Sequence, residues 1–156
     1  MNDAPLRQAV AAALEEFGTQ PGPLLEILHA VQHRIGHVPP EAVPLIADGL
    51  NLSRAEVHGV ISFYQHFRST PAGRCRVQVC RAEACQALNG EAVAAAARRR
   101  LGIDFGETRA DGSASLEAVY CLGNCALAPT VVIGGVLHGR CSPREIGALI
   151  DGWQGE

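Results

Sequence analysis

The sequence predicts an α/β protein with a helical N-terminal domain, residues 1–72, followed by a domain with a small mixed sheet and flanking helices, residues 73–156. Three observations support this prediction. Apolar residues recur at helical spacing over roughly the first 70 residues. From Cys75 the period changes to two, which is typical of a half-buried strand. Between these parts, residues 69–73 have the Ser, Thr, Pro and Gly content of a linker.

The first two predicted helices each carry an apolar stripe and end at a glycine. The stripe of the first helix consists of Leu6, Val10, Leu14 and Phe17. Gly18 ends that helix, and Pro23 opens the second. The stripe of the second helix consists of Leu24, Leu28, Val31 and Ile35. Gly36 is the predicted end of the second helix.

Proline and capping residues predict the next two helices. The third begins at Pro39-Pro40, and Pro44 inside it is expected to keep it short or bent. Ser53 and Glu56 form a capping box that begins the fourth helix. The apolar residues of these two helices are Val43, Ile46 and Leu50, then Val57, Val60 and Ile61.

The second domain alternates strands and helices. A strand over 75–80 precedes an alanine-rich helix from about residue 90 to 101, and a second strand follows over 116–120. Residues 131–138 form a predicted hairpin around two glycines, and the capping box at 142–145 begins a last helix. The order strand, helix, strand, hairpin, helix is typical of a thioredoxin-like layer.

Composition excludes several classes of function. The 13 basic and 16 acidic residues give a formal net charge of -3, so the chain offers no polycation for nucleic acid or an anionic membrane surface. All 13 basic residues are arginines, which excludes a Walker lysine, a Schiff-base lysine and a lysine general base on this chain.

The sequence also predicts the cellular compartment. The N-terminus lacks the basic, apolar and small-residue pattern of a signal peptide, and no apolar stretch approaches the roughly 18 residues of a membrane span. We therefore expect a cytoplasmic protein without membrane insertion. In a reducing compartment, its six cysteines indicate metal or redox chemistry.

Two pairs of cysteines follow the first two predicted strands. Four residues separate Cys80 from Cys85, three separate Cys121 from Cys125, and 35 lie between the pairs. We expect each pair in a loop at one edge of the sheet, where four thiolates can converge. Such a set suits zinc or a 2Fe-2S cluster, in which each pair would hold one iron.

Spacing favours the cluster without excluding zinc. Structural zinc is most often held by Cys-x2-Cys, although gaps up to x4 occur, and neither pair has the shorter gap. In the cluster interpretation, Gly123 would let the backbone approach the sulfides closely and donate N–H groups to them. Disulfides or unliganded thiols are a third, minor alternative.

Other residues have simpler interpretations. Cys75 and Cys141 are expected in the core. His29 and His33 have a spacing that could hold zinc, but a surface or packing role is favoured. An aromatic set of Phe63, Tyr64 and Phe67 could face a partner or fill the junction between the domains.

The cysteine segments resemble those of a known family. The segments at residues 79–85 and 120–129, with Gly59-Val60-Ile61-Ser62-Phe63-Tyr64, are similar to the thioredoxin-like 2Fe-2S ferredoxins, which include the small iron–sulfur subunit of the complex I NADH-dehydrogenase module. The resemblance covers nearly the whole chain. It implies that Cys80, Cys85, Cys121 and Cys125 hold the cluster. Asn124 departs from the small or apolar residue expected between the last two cysteines.

Some segments resemble one branch of this family. Residues 50–64, 80–85 and 116–121 are similar to the gamma subunit of molybdenum-containing, NAD-dependent formate dehydrogenases. This resemblance implies a one-electron carrier that docks on a flavin subunit holding FMN and NAD, with molybdopterin on a catalytic subunit. The chain has no Gly-x-Gly-x-x-Gly after a strand and no substrate site, so FMN and NAD are expected on the partner.

Alternatives to the formate dehydrogenase remain open. The same resemblance fits the equivalent subunit of complex I or of an NAD-linked hydrogenase. A zinc-stabilised interaction module would explain the cysteines without redox chemistry. A thiol oxidoreductase would fit the fold, but Cys-x-x-Cys at a helix start is missing.

Overall fold

The structure is a computed structural model that describes residues 4–153. The chain divides into two compact units, Met1–Pro71 and Ala72–Glu156. Each unit has its own cluster of buried apolar side chains. None of the described helices is long and apolar enough to cross a membrane.

The first unit contains four helices. They are α1 (Ala4–Phe17), α2 (Leu24–Ile35), α3 (Ala42–Leu50) and α4 (Arg54–Phe63). The predicted end of α2 and the predicted start of α4, which depend on residues close together in the sequence, are confirmed. Gly36 adopts φ 89° and caps α2, and Ser53 and Glu56 form both hydrogen bonds of the capping box that begins α4. The apolar stripes of the helices face one another, with Ile27, Leu28, Val31 and Ile46 fully buried.

The third helix differs from its prediction in one respect. It begins at Ala42, so Pro44 lies in the first turn, where a backbone N–H has no acceptor within the helix. Pro44 therefore removes no helical hydrogen bond. The helix is short because Asn51 takes a left-handed conformation with φ 53° and ends it.

The second unit is a mixed α/β layer, which confirms the predicted fold class. Its elements are β1 (Cys75–Cys80), α5 (Glu83–Ala87), α6 (Gly90–Leu101), β2 (Ala114–Val119), β3 (Val131–Ile133), β4 (Val136–His138) and α7 (Pro143–Gly152). The strand order is β2-β1-β3-β4. Strand β1 is parallel to β2 and antiparallel to β3, and β4 is antiparallel to β3.

The alternation in β1 determines how this unit packs. Val77 and Val79 point into the core, where α6 and α7 cover the sheet. On the other face, the Arg76 guanidinium forms an ion pair of 2.9 Å with Glu117 of the neighbouring strand. Because β1 lies between β2 and β3, its C-terminal end is flanked by chain from both neighbours.

Two elements near the cysteines differ from their predictions. Strand β2 ends at Val119, so Tyr120 lies outside the strand with 63% of its surface exposed. The five-residue helix α5 was not predicted, and it contains Cys85. The expectation that Cys85 lies in a loop is therefore wrong.

Candidate metal centre

The first cysteine pair is buried at the end of the central strand. We call Cys80 and Cys85 the inner pair. Cys80 is the last residue of β1, and Cys85 lies in the first turn of α5. Their exposed fractions are 3% and 1%, and Ala128 packs against both. The protein matrix therefore encloses this side of the site.

The second pair lies at the surface. We call Cys121 and Cys125 the outer pair. Their Sγ atoms are 3.7 Å apart, and both residues are exposed. Cys125 begins a 3-10 helical turn, Cys125–Leu127, while Cys121 has φ 125°, a conformation that non-glycine residues rarely adopt. Strain of this kind concentrates at functional sites.

Glycine shapes the loop between the outer cysteines. Gly123 has φ 74°, which a residue with a Cβ adopts only at a cost. In this conformation its backbone N–H donates a hydrogen bond of 3.3 Å to Cys121 Sγ. This bond is to a cysteine sulfur, and the expected donation from Gly123 to the sulfides of a cluster stays a prediction.

Neighbouring thiols of both pairs help to raise the pKa values of Cys85 and Cys125. Burial is the largest cause that raises the pKa of the Cys85 thiol, followed by its hydrogen bond to Cys80, and the charge of Cys125 adds to the effect. The pKa of Cys125 is raised first by its hydrogen bond to Cys121, with Coulombic contributions from Cys121 and Cys80. The raised pKa values mean that Cys85 and Cys125 resist ionisation, and a metal that binds them must displace their protons.

The four cysteines form two pairs, the exposed Cys121 with Cys125 and the buried Cys80 with Cys85. Within residues 4–153, no three His, Cys, Asp or Glu side chains are grouped so that they could hold a single ion. A mononuclear zinc site requires four ligands around one ion. A 2Fe-2S cluster instead takes two ligands on each of two irons. The paired thiols, one pair buried and one exposed, suit the second donor set.

Two residues that the sequence analysis does not identify, Thr130 and Gly139, hold the outer-pair turn in place. The buried hydroxyl of Thr130 lies 3.3 Å from the carbonyl oxygen of Asn124 and 3.4 Å from that of Leu127. At Gly139 the chain passes so close that a Cβ would lie 2.7 Å from Leu127 Cβ. The same Cβ would be 3.0 Å from the Asn124 amide nitrogen, and this amide group therefore faces Gly139. The sequence feature that could have indicated this role of Thr130 is the Pro129-Thr130 dipeptide, which lies close to the outer cysteines along the chain.

The remaining cysteines lie away from the four paired thiols. Cys75 and Cys141 are 4% and 3% exposed and belong to the core of the second unit. Burial raises the pKa of both thiols, that of Cys141 to about 11. These are the properties of structural, unreactive thiols.

The other candidates lie in the helical unit. The His29 ring packs against His66 and Phe67, with centroid distances of 5.0 and 4.9 Å. In the aromatic set, Phe67 is buried in the core, whereas Phe63 has 77% of its surface exposed.

A thioredoxin-like sheet whose neighbouring parallel strands β1 and β2 are each followed by a cysteine pair defines the class of this protein. Its family follows from a direct match. The model of the thioredoxin-like [2Fe-2S] ferredoxins matches residues 10–154, and the chain belongs to that family.

Curated relatives carry related names. The chain is 33% identical over 146 residues to the NADP-reducing hydrogenase subunit HndA of Solidesulfovibrio fructosivorans, an alignment that covers 94% of this chain and 85% of the relative. It is 36% identical over 129 residues to one subunit of the NADH-quinone oxidoreductase of Pseudomonas aeruginosa, covering 83% and 78%. These relatives are oxidoreductase subunits.

Longer proteins contain a similar segment. The chain is 32% identical to part of the NAD-reducing hydrogenase HoxS subunit alpha of Cupriavidus necator, covering 90% of this chain but 23% of that one. A crystal structure of an NAD+-reducing [NiFe]-hydrogenase in the air-oxidized state superposes with a TM-score of 0.67 at 23% identity. That match covers 82% of this chain and 22% of the other, and it shows a shared fold.

Proposed function

We propose that this chain is the 2Fe-2S electron-transfer subunit of an NAD- or NADP-linked oxidoreductase complex. The observation that carries the proposal is the placement of two cysteine pairs after the neighbouring parallel strands β1 and β2, close enough for thiols of one pair to influence those of the other. Membership of a 2Fe-2S ferredoxin family supports it. The chain would act in the cytoplasm as one component of a larger assembly.

The proposal assigns ligands to each iron. Cys80 and Cys85 would hold one, and Cys121 and Cys125 the other. When bound, the cluster supplies reversible one-electron transfer. The inner pair keeps its side of the site in a dry, buried environment, because both residues are almost fully enclosed. The exposed outer pair leaves the opposite side open to a redox partner.

We propose that the partner is a flavin subunit that holds FMN and NAD. This chain has no glycine-rich dinucleotide motif, and its family relatives are subunits of NAD- or NADP-linked enzymes. A one-electron carrier without a substrate site requires such a partner to exchange electrons with a nicotinamide, which accepts two as hydride.

The relatives favour complex I or an NAD-linked hydrogenase as the parent assembly. By name, two of them belong to hydrogenases, HndA and HoxS alpha, and a third belongs to NADH-quinone oxidoreductase. The formate dehydrogenase with a molybdopterin catalytic subunit, which the sequence favoured, has weaker support than these alternatives.

Metal analysis of the anaerobically purified chain tests the cofactor. We expect two iron and two acid-labile sulfide per chain, with visible absorption that bleaches on reduction. One zinc per chain from iron-supplied cells, without sulfide, would instead establish a zinc-stabilised module and remove the proposal.

Purification of the native complex tests the assembly. A tagged chain expressed in its own host should bring down a subunit that contains FMN. The complex is then assayed for NAD(P) reduction by hydrogen, NADH oxidation by quinone, and NAD reduction by formate, together with its nickel and molybdenum content. A complex that contains molybdenum and reduces NAD with formate would instead support a formate dehydrogenase as the parent assembly.

A further inference from the structure

Thr130 is a buried residue that contacts the inner cysteine pair and the turn that contains Cys125. It immediately precedes β3, and 1% of its surface is exposed. We propose that Thr130 is a positioning residue for the metal centre, whose backbone fixes the inner pair and whose hydroxyl fixes the turn of the outer pair. The inference rests on the proposed function, because it concerns the group that the four cysteines would hold.

The backbone of Thr130 contacts both residues of the inner pair. Its carbonyl oxygen accepts a hydrogen bond of 3.1 Å from the N–H of Cys80. Its backbone also makes a hydrogen bond with the Cys85 thiol. One residue between a proline and a strand therefore fixes the end of β1 against α5. These contacts do not depend on the side chain.

The side chain of Thr130 contacts the turn that contains Cys125. Its Oγ1 lies 3.3 Å from the Asn124 carbonyl oxygen and 3.4 Å from that of Leu127. Both distances exceed the usual O–H···O value of roughly 2.7–2.8 Å, as expected when one hydroxyl hydrogen is shared between two acceptors. Cys125 lies between these two carbonyls along the chain. The hydroxyl thus holds the turn from which the Cys125 side chain projects.

The two sets of contacts link pairs that are distant in sequence. The residues from Cys80 to Thr130 enclose α5, α6 and β2, so the relative position of the pairs depends on tertiary contacts. Without the hydroxyl, the Asn124 carbonyl still accepts the N–H of Leu127 at 3.0 Å. Loss of the hydroxyl should therefore loosen the turn without unfolding it. The metal centre, which needs both pairs in register, should be affected more than the fold.

Three variants separate positioning from general stability. Thr130→Val removes the hydroxyl at nearly constant volume, and Thr130→Ser restores it. The matched control is Thr108→Val, because Thr108 Oγ1 makes a 2.8 Å hydrogen bond to Ser115 Oγ in the same unit, beside the start of β2. We expect Thr130→Val to lose iron to a chelator about two- to tenfold faster than wild type, the range of one hydrogen bond. Thr130→Ser and Thr108→Val should match wild type.

A second readout uses the metal-free protein. The N–H groups of Leu127 and Ala128 bond within the outer-pair turn, to Asn124 and Cys125. Their hydrogen exchange, measured by NMR, should be about two- to tenfold faster in Thr130→Val and unchanged in the other two variants. This measurement reports on the turn whether or not a cluster forms. A wild-type chain without iron would therefore refute the proposed function and still leave the positioning of the turn testable.

The outcomes that overturn the inference are specific. One is a Thr130→Val protein with wild-type iron release and wild-type exchange. Another is a Thr130→Ser protein that behaves like Thr130→Val, and a third is an equal effect of Thr108→Val. If circular dichroism shows that Thr130→Val does not fold, Thr130→Ala takes its place in the same comparisons.

Discussion

Cys121 Sγ and Cys125 Sγ are 3.7 Å apart on the surface, while Cys80 and Cys85 are buried at the end of β1. This difference in exposure separates the roles of the two pairs. The inner pair is part of the packed core, so its replacement affects folding. The outer pair is set in an exposed loop, so its replacement tests metal binding with little change in the fold.

Replacing Cys121 by serine should abolish the cluster without unfolding the protein. The residue is exposed, so we expect the free energy of unfolding of the metal-free chain to change by less than about 0.5 kcal/mol. Visible absorption and iron content of the purified protein measure the cluster. Cys75→Ala is the control. Cys75 lies in the core and is not a proposed ligand, so this variant should keep the wild-type absorption and iron content. Wild-type absorption in Cys121→Ser would show that the ligand assignment is wrong.

Two phenylalanines of one aromatic set should respond in opposite ways. Phe67 is 7% exposed and packs in the core of the helical unit, so Phe67→Ala should lower the free energy of unfolding by about 3–5 kcal/mol. Phe63 is 77% exposed, and Phe63→Ala should change the free energy of unfolding by no more than about 0.5 kcal/mol. Chemical denaturation measures both. If Phe63 serves as a partner contact, Phe63→Ala should also weaken recovery of the flavin subunit while the cluster is retained.

The Cys141 thiol should make stability depend on pH in the alkaline range. Burial raises its pKa from 9.0 to about 11, with a smaller contribution from the Glu145 carboxylate. A group whose pKa is raised by folding stabilises the native state fully below its unfolded pKa and loses this contribution as the pH rises toward the folded value. The free energy of unfolding should therefore fall between about pH 9 and pH 11.

Cys141→Ala isolates that contribution. Urea unfolding of the reduced, metal-free protein at several pH values gives the slope for each form. The variant should show a shallower decline than wild type but not a flat one, because Cys75 and Cys85, whose pKa values burial also raises, remain in both proteins. Identical slopes would mean that the Cys141 thiol keeps an ordinary pKa.

Local signals made much of the fold predictable. The capping boxes at Ser53 and Ser142 involve residues three apart, and both are present. The paired glycines Gly134 and Gly135 have φ values of 54° and 87°, as the predicted hairpin turn requires. In each case the sequence neighbours alone determine the geometry.

Features that depend on tertiary contacts were not predictable in the same way. The helix α5 has five residues, too few to be stable alone, and its N-cap Ala82 has no side-chain acceptor. Burial of the inner pair and exposure of the outer pair follow from packing, since both pairs simply follow a strand in the sequence. The role of Thr130 depends on a turn that brings it to carbonyls three and six residues earlier.

Gly139 supports the outer-pair turn by its lack of a side chain. A Cβ there would lie 2.7 Å from Leu127 Cβ, 2.9 Å from the Leu127 carbonyl oxygen and 3.0 Å from Asn124 Nδ2. The first two are rigidly placed atoms, so Gly139→Ala must displace the turn or the segment that crosses it. We expect a loss of about 1–3 kcal/mol in the free energy of unfolding and faster loss of iron to a chelator.

Gly147→Ala is the matched control for that substitution. Gly147 lies within α7, and a Cβ there would meet no atom within 4 Å. Alanine favours the helix, so this variant should gain about 0.5–1 kcal/mol and release iron at the wild-type rate. Denaturant unfolding and iron release are measured on both proteins side by side. If Gly139→Ala matches wild type in both measurements, close approach at Gly139 does not hold the outer pair, and the turn must depend on its own hydrogen bonds and on Thr130.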